Sequence, residues 1–345
     1  MSSPVDIFAV ASEEVVILDG GLGTRLEARG DDITGSLWSA QILREDPDEI
    51  AAVHDDFFRA GARVATTASY QLTFEGMAAA GGTPEETERL LRRSVEIARA
   101  AADSRMSAPG AIAASPQTRR WVAASIGPYG AGPGCGTEYD GDYGLSAAEL
   151  AAWHRPRIGV LADSGADVLL AETVPSILEV EALTAELEDA ALPAMLSVTV
   201  ADGRLRDGTP LPEMARIFSG VTNIRAIGVN CCQAEDALAA VRALSGLTDL
   251  PLIAYPNSGE RWDHAARCWA PRTQGELTPL GAVPALLDAG VRFLGGCCRV
   301  TPREIAAMAE AVGEKTAGWS RSLPIGRDSA RAMQKHPLSG VIGTI

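Results

Sequence analysis

The chain has 345 residues, 46% of them hydrophobic, and 45 acidic side chains against 30 Lys and Arg set a formal net charge of −15. That balance argues against nucleic-acid binding, which wants a basic footprint. No apolar run approaches the roughly 18 residues of a membrane span. The start, Met1-Ser-Ser-Pro-Val-Asp6, lacks the basic region of a secretory signal, so a cytoplasmic protein is expected.

Along the chain, short apolar runs alternate with longer helical stretches. The runs Val15–Asp19, Arg63–Thr67, Trp121–Ile126 and Asp167–Ala171 are expected strands, followed by Ala194–Val200, Ala226–Asn230, Pro251–Tyr255 and Val291–Gly295. All are short and apolar on both faces, as strands of a covered parallel sheet are. Between them, Thr83-Pro-Glu-Glu86, Ser146-Ala-Ala-Glu149 and Thr301-Pro-Arg-Glu304 each set a hydroxyl three residues before a Glu, a capping-box start. Amphipathic stretches follow at Arg89–Ala102, Leu150–Ala162 and Ile305–Val312.

Eight strand–helix pairs close a (β/α)8 TIM barrel, an α/β fold of one domain over residues 1–314. An open doubly wound sheet shares the pattern. The barrel is preferred because no Gly-x-Gly-x-x-Gly follows the first strand. Residues 315–345 form a tail of unassigned role with a surplus of four positive charges.

Barrel enzymes work at the carboxyl ends of their strands. Here those ends read Asp19-Gly-Gly-Leu-Gly-Thr24, Thr66-Thr-Ala-Ser-Tyr-Gln71, Ser125-Ile-Gly-Pro-Tyr-Gly130 and Glu172-Thr-Val-Pro175. Then come Asn230-Cys-Cys232, Tyr255-Pro-Asn-Ser-Gly259 and Gly295-Gly-Cys-Cys-Arg299. Only the fifth tip, near Asp202 and Gly203, has the character of an ordinary loop.

Cys231, Cys297 and Cys298 thus stand at the tips of two strands, a set of three soft ligands suited to Zn2+ with one coordination position open. Gly295 and Gly296 would let the backbone turn so that adjacent cysteines face one ion. Cys232 is expected to pack as a small hydrophobe. Cys135 and Cys268 fall in expected loops without metal spacing, and His54, His154, His264 and His336 are scattered. His154, inside a helix, is expected to pack or hydrogen-bond rather than ligate.

These motifs resemble the homocysteine S-methyltransferase family. The resemblance rests on Leu18-Asp-Gly-Gly-Leu-Gly-Thr24, Gly228-Val-Asn-Cys231 and Gly295-Gly-Cys-Cys-Arg299 with Thr301-Pro302. It extends through Thr67–Gln71, Ser125–Gly130, Glu138-Tyr-Asp-Gly-Asp-Tyr143, His154-Arg-Pro156, Asp207-Gly-Thr-Pro210 and Tyr255–Glu260. It implies a barrel whose zinc is held by Cys231, Cys297 and Cys298, with homocysteine sulfur as fourth ligand. It also implies that Asp19 and Glu172 bind the homocysteine ammonium. Thr67 and the Gly20–Gly21 amides are candidates for its carboxylate, and Asn230 is a candidate for orienting the site. No further catalytic residue is expected beyond the zinc site, because a zinc-held thiolate needs no general base.

The compact barrel with Thr67–Gln71 and Glu138–Tyr143 looks most like the S-methylmethionine-using branch of that family, which implies a sulfonium donor, S-methylmethionine or else S-adenosylmethionine. The acidic and aromatic groups of Glu138–Tyr143 suit such a cation. Betaine as donor and selenocysteine or selenohomocysteine as acceptor stay open. So does a non-catalytic zinc- or thiol-binding barrel. The expected partners are small molecules, with neither nucleic acid nor membrane.

Overall fold

A computed structural model describes residues 6–33, 39–106, 119–132, 137–263, 268–270 and 275–322. Eight parallel strands form one sheet: β1 Val16–Ile17, β2 Val64–Thr66, β3 Trp121–Ile126, β4 Val168–Val174, β5 Ala194–Val198, β6 Ile224–Asn230, β7 Leu252–Tyr255 and β8 Val291–Leu294. Hydrogen-bonded neighbours run β1-β8-β7-β6-β5-β4-β3-β2. Between the two ends of that order, Arg63 N donates to Ile17 O at 2.7 Å. Thr66 N donates to the Asp19 carboxylate at 2.7 Å. These bonds close the sheet into the expected (β/α)8 barrel.

Strand alternation sorts the core into two layers. Val16, Leu18, Val64, Trp121, Ala123, Val168, Leu170, Met195, Ile253 and Phe293 fill the barrel interior. Their neighbours Ile17, Ala65, Val122, Ala124, Leu169 and Ala171 pack outward against the helices. The short helix Ile7–Glu13, outside the expected elements, adds Ile7, Phe8, Val10 and Ala11 to the inner cluster. Phe8 meets Phe293 edge-on at 6.0 Å between ring centroids.

The helix starts follow their sequence signals. Ser146 and Glu149 form a complete capping box. Thr301 and Glu304 exchange the same pair of bonds. At Thr83 the forward bond from Glu86 N is present at 3.2 Å. The last helix, Pro302–Ser322, runs through the expected boundary at residue 314. Lys315 there reaches Pro284 O and Asp288, both at 2.7 Å. Residues 323–345 lie outside the described residues.

Two expectations change. The fifth tip is no ordinary loop: Val200–Ala201 pairs antiparallel with Arg204–Leu205, across Asp202 and Gly203 at φ 52° and 74°. Positive φ at both central residues is the turn that matches strand twist. Cys268, expected in a loop, opens the short strand Cys268–Ala270, which pairs with Arg261–Asp263. Cys135, His264 and His336 lie outside the described residues.

Candidate active site

The Cys231, Cys297 and Cys298 sulfurs lie within 4.8 Å of one another, and Cys231 Sγ is 3.7 Å from Cys298 Sγ. A tetrahedral ion with bonds of about 2.3 Å to sulfur separates its ligands by roughly 3.8 Å. The Cys231–Cys298 pair has that spacing, and the trio could hold a soft metal such as zinc. Among the described residues it is the one cluster of His, Cys, Asp or Glu with ligand atoms this close.

Backbone strain delivers these side chains. Cys231 sits in the left-handed region at φ 51°, and so does Arg299 after Cys298, at φ 64°. Non-glycine residues occupy that region rarely, and mostly where surrounding structure compels it. Gly295 and Gly296, expected to supply the turn by flexibility, are not left-handed. They are glycine because of space. A Cβ on Gly295 would lie 2.6 Å from Leu18 Cβ, and one on Gly296 would lie 2.2 Å from Val300 Cγ1.

Main-chain bonds hold the cysteine loop from both sides. Cys297 N donates to Pro256 O at 2.9 Å, and Gly296 N donates to Asp19 O at 3.0 Å. Cys298 N donates to Asn257 Oδ1 at 3.1 Å. Tyr139 Oη contacts Cys231 Sγ at 2.9 Å. Hydrogen bonds from the Cys297 and Cys298 thiols hold Cys231 well below its ordinary range, while Cys297 and Cys298 are raised by sharing those bonds with it. The three sulfurs thus favour a shared negative charge, the form a soft cation binds.

Beside the thiols a cavity of about 530 Å³ opens, lined by Asp19, Thr67, Tyr70, Glu138, Tyr139 and Glu172 among others. Asp19 accepts from Thr66 N and Thr66 Oγ1, both at 2.7 Å. Glu172 accepts from Ser125 Oγ and, at 3.1 Å, from Tyr255 Oη. Burial nonetheless pushes both carboxyls up to about 7. Glu138 is lifted to about 7 by the same cause. Such groups gain strongly from a cation that enters the cavity.

The family model described as homocysteine S-methyltransferase fits residues 16–312. The chain belongs to the homocysteine S-methyltransferase family. A homocysteine S-methyltransferase of Escherichia coli K12 is 43% identical over 300 residues, covering 86% of this chain and 94% of that one. The selenocysteine Se-methyltransferase of Brassica oleracea var. italica is 37% identical, covering 89% and 91%. The crystal structure of the metallated form of the homocysteine methyltransferase MmuM from Escherichia coli superposes with a TM-score of 0.77. It is 40% identical, with 88% and 98% of the two chains covered.

Of the residues that the family resemblance singled out, Asp19, Thr67 and Glu172 line one cavity with Cys231, Cys297 and Cys298. Asn230 does not line it. It is fully buried and turned to β4, where Oδ1 accepts from Thr173 N and Nδ2 donates to Thr173 Oγ1, both at 2.8 Å, while Nδ2 also reaches Cys297 Sγ at 4.0 Å. Thr173 has φ 62°, and the β4–β5 register shifts between Ala171 and Val174. Asn230 thus fixes the bulge beside Glu172. The Gly21 amide is taken by Val300 O at 3.1 Å, which weakens its case as a carboxylate donor.

Cys232 packs in the core and His154 hydrogen-bonds, each as expected. Tyr70, Ser125, Tyr255 and Asn257 were missed as individual site residues. Each stands in a tip segment read from the sequence, yet nothing local reveals which way its side chain turns.

Proposed function

We propose that the chain transfers a methyl group from a sulfonium donor to homocysteine, giving methionine, with S-methylmethionine as donor ahead of S-adenosylmethionine. The observation that carries this is the juxtaposition of three thiols at metal-ligand spacing with two buried carboxylates in one cavity. Cys231, Cys297 and Cys298 would hold Zn2+. When bound, the ion favours the thiolate form of a fourth sulfur ligand near neutral pH.

Asp19 and Glu172 take the ammonium of homocysteine, and Thr67 is the candidate for its carboxylate. With both ends fixed, the sulfur is presented to the remaining cavity, where Tyr70, Glu138 and Tyr139 face the cationic donor. A new bond forms between the homocysteine sulfur and the methyl carbon. The carbon–sulfur bond of the donor breaks with its electron pair on the leaving sulfur, which becomes a neutral thioether. The thiol proton leaves to solvent. The protein's own work is alignment of nucleophile, methyl and leaving group.

Selenocysteine or selenohomocysteine is the second reading for the acceptor, favoured by the relative named for selenocysteine methylation. The test is methionine formation by zinc-replete protein with S-methylmethionine, S-adenosylmethionine and betaine offered side by side. Product with a sulfonium donor is expected, and no product with any of the three would overturn the proposal.

A further inference from the structure

Behind the cavity wall, three ionisable side chains are buried together without solvent contact to justify them. His154 and Arg157 lie on helix Ala147–Ala162, and Glu179 lies on helix Ile177–Glu188. Their exposures are 0%, 2% and 0%. His154 Nε2 is 2.8 Å from Glu179 Oε1, and His154 Nδ1 is 3.0 Å from Arg157 Nη2. A guanidinium can only donate and a carboxylate only accepts. The imidazole is therefore neutral, protonated on Nε2, and acts as a rigid spacer between a cation and an anion.

The outer ends of this relay grip loops of the cavity. Arg157 Nη2 donates to Gly127 O at 2.5 Å, and Nη1 donates to Tyr70 O at 3.4 Å. Gly127 lacks a Cβ where one would lie 2.8 Å from the Tyr70 ring, so the ring rests on that backbone. At the other end, Glu179 Oε1 accepts from Tyr129 N at 2.6 Å. The next residue's carbonyl, Gly130 O, accepts from Thr137 Oγ1 at 2.9 Å. Thr137 opens the turn Thr137–Tyr139, which carries Glu138 and Tyr139 into the cavity.

We propose that His154, Arg157 and Glu179 form a positioning network that sets the separation of the Tyr70 wall and the Glu138–Tyr139 wall. This rests on the methyl-transfer reading, under which those walls enclose the donor. Apolar side chains of similar volume would stabilise such a helix interface as well or better. The polar trio is instead tied to the two loops that frame the donor, and it makes no contact with the thiols or with Asp19.

The test compares His154→Leu with His154→Gln in the full zinc-loaded chain. Gln can both donate and accept, so it restores the bonds but not the rigid ring. His154→Leu is expected to raise the KM for S-methylmethionine about tenfold or more. The homocysteine KM and zinc content should change far less than the donor KM, since the relay reaches the thiols only at second hand, through the Tyr139 contact with Cys231 Sγ. His154→Gln should recover most of the loss, and amide exchange in His154→Leu should quicken at Tyr70–Leu72 and Tyr129–Ala131 before the barrel strands.

An equal rise in both KM values, or unchanged exchange at those two segments, would overturn the network. If His154→Leu does not fold, Arg157→Met, which removes the bonds to Gly127 O and Tyr70 O, decides alone: a donor KM and loop exchange identical to the parent's refute the proposal. If the parent itself transfers no methyl group, the methyl-transfer reading falls, and the exchange comparison still judges the network.

Discussion

Cys298 is the sulfur that meets Cys231 at the spacing a tetrahedral ion requires. Cys298→Ala should therefore lower zinc affinity by more than the about 10- to 100-fold that removing a mere outer partner costs. Metal analysis after dialysis checks it, and full occupancy would refute the ligand set. Glu172, held by Ser125 and Tyr255, faces the same cavity as a buried acid. Glu172→Gln should weaken homocysteine binding roughly tenfold to a hundredfold, the worth of a charged hydrogen bond. Zinc content should be unchanged, and calorimetry separates the two. The thiols were legible in the sequence because two adjacent cysteines after paired glycines, with a third at a matching strand tip, is a rare local pattern. Asn257 was not, because it meets Cys298 across 41 residues of chain. A pairing of that separation leaves no periodic trace.

The barrel strands were legible for a related reason. Parallel strands covered on both faces are near-continuously apolar, and the eight runs are, with few interruptions such as Ser197 and Arg292. Where packing rather than pattern decides, sequence reading failed. The seven-residue helix Ile7–Glu13 is too short for helical periodicity to stand out, yet it docks against the inner layer. Gly228 in β6 is another case: a Cβ there would lie 2.0 Å from Ile253 O on β7. Gly228→Ala should cost about 1–3 kcal/mol or more as overpacking, read as a lower denaturant midpoint; an unchanged midpoint would mean the strands part freely. On helix Pro47–Arg59, His54 is buried, and neither ring nitrogen has a hydrogen-bond partner among the described residues. Burial holds it neutral down to about pH 4, against an ordinary 6.5. The unfolded chain takes up that proton first, so stability is lost as pH falls from 6.5 toward 4. His54→Leu should stabilise by about 1–3 kcal/mol, with an advantage that widens over that acid window.

At the scale of the whole molecule, the acids of the cavity tilt stability the other way. Glu172 keeps its proton to about pH 7 in the folded chain, against 4.5 ordinarily, because burial disfavours its charge. Between those values the folded state holds more protons than the unfolded, so stability falls as pH rises. Relative to the parent, metal-free Glu172→Gln should gain in unfolding temperature from pH 5 to 7.5 and then level off. A constant difference would place Glu172 in ordinary solvent. Asp19 has the same upward displacement and a second duty. The β1–β2 seam is drawn shut by Asp19, whose carboxylate takes the amide hydrogen of Thr66. If an incoming ammonium leans on that same carboxylate, loading and closure become one coupled equilibrium, and coupling between two events is reciprocal. A ligand that keeps Asp19 charged tightens the seam, and every breath of the seam loosens the ligand. The joint between the two ends of the strand order would then be stiffest when the site is filled.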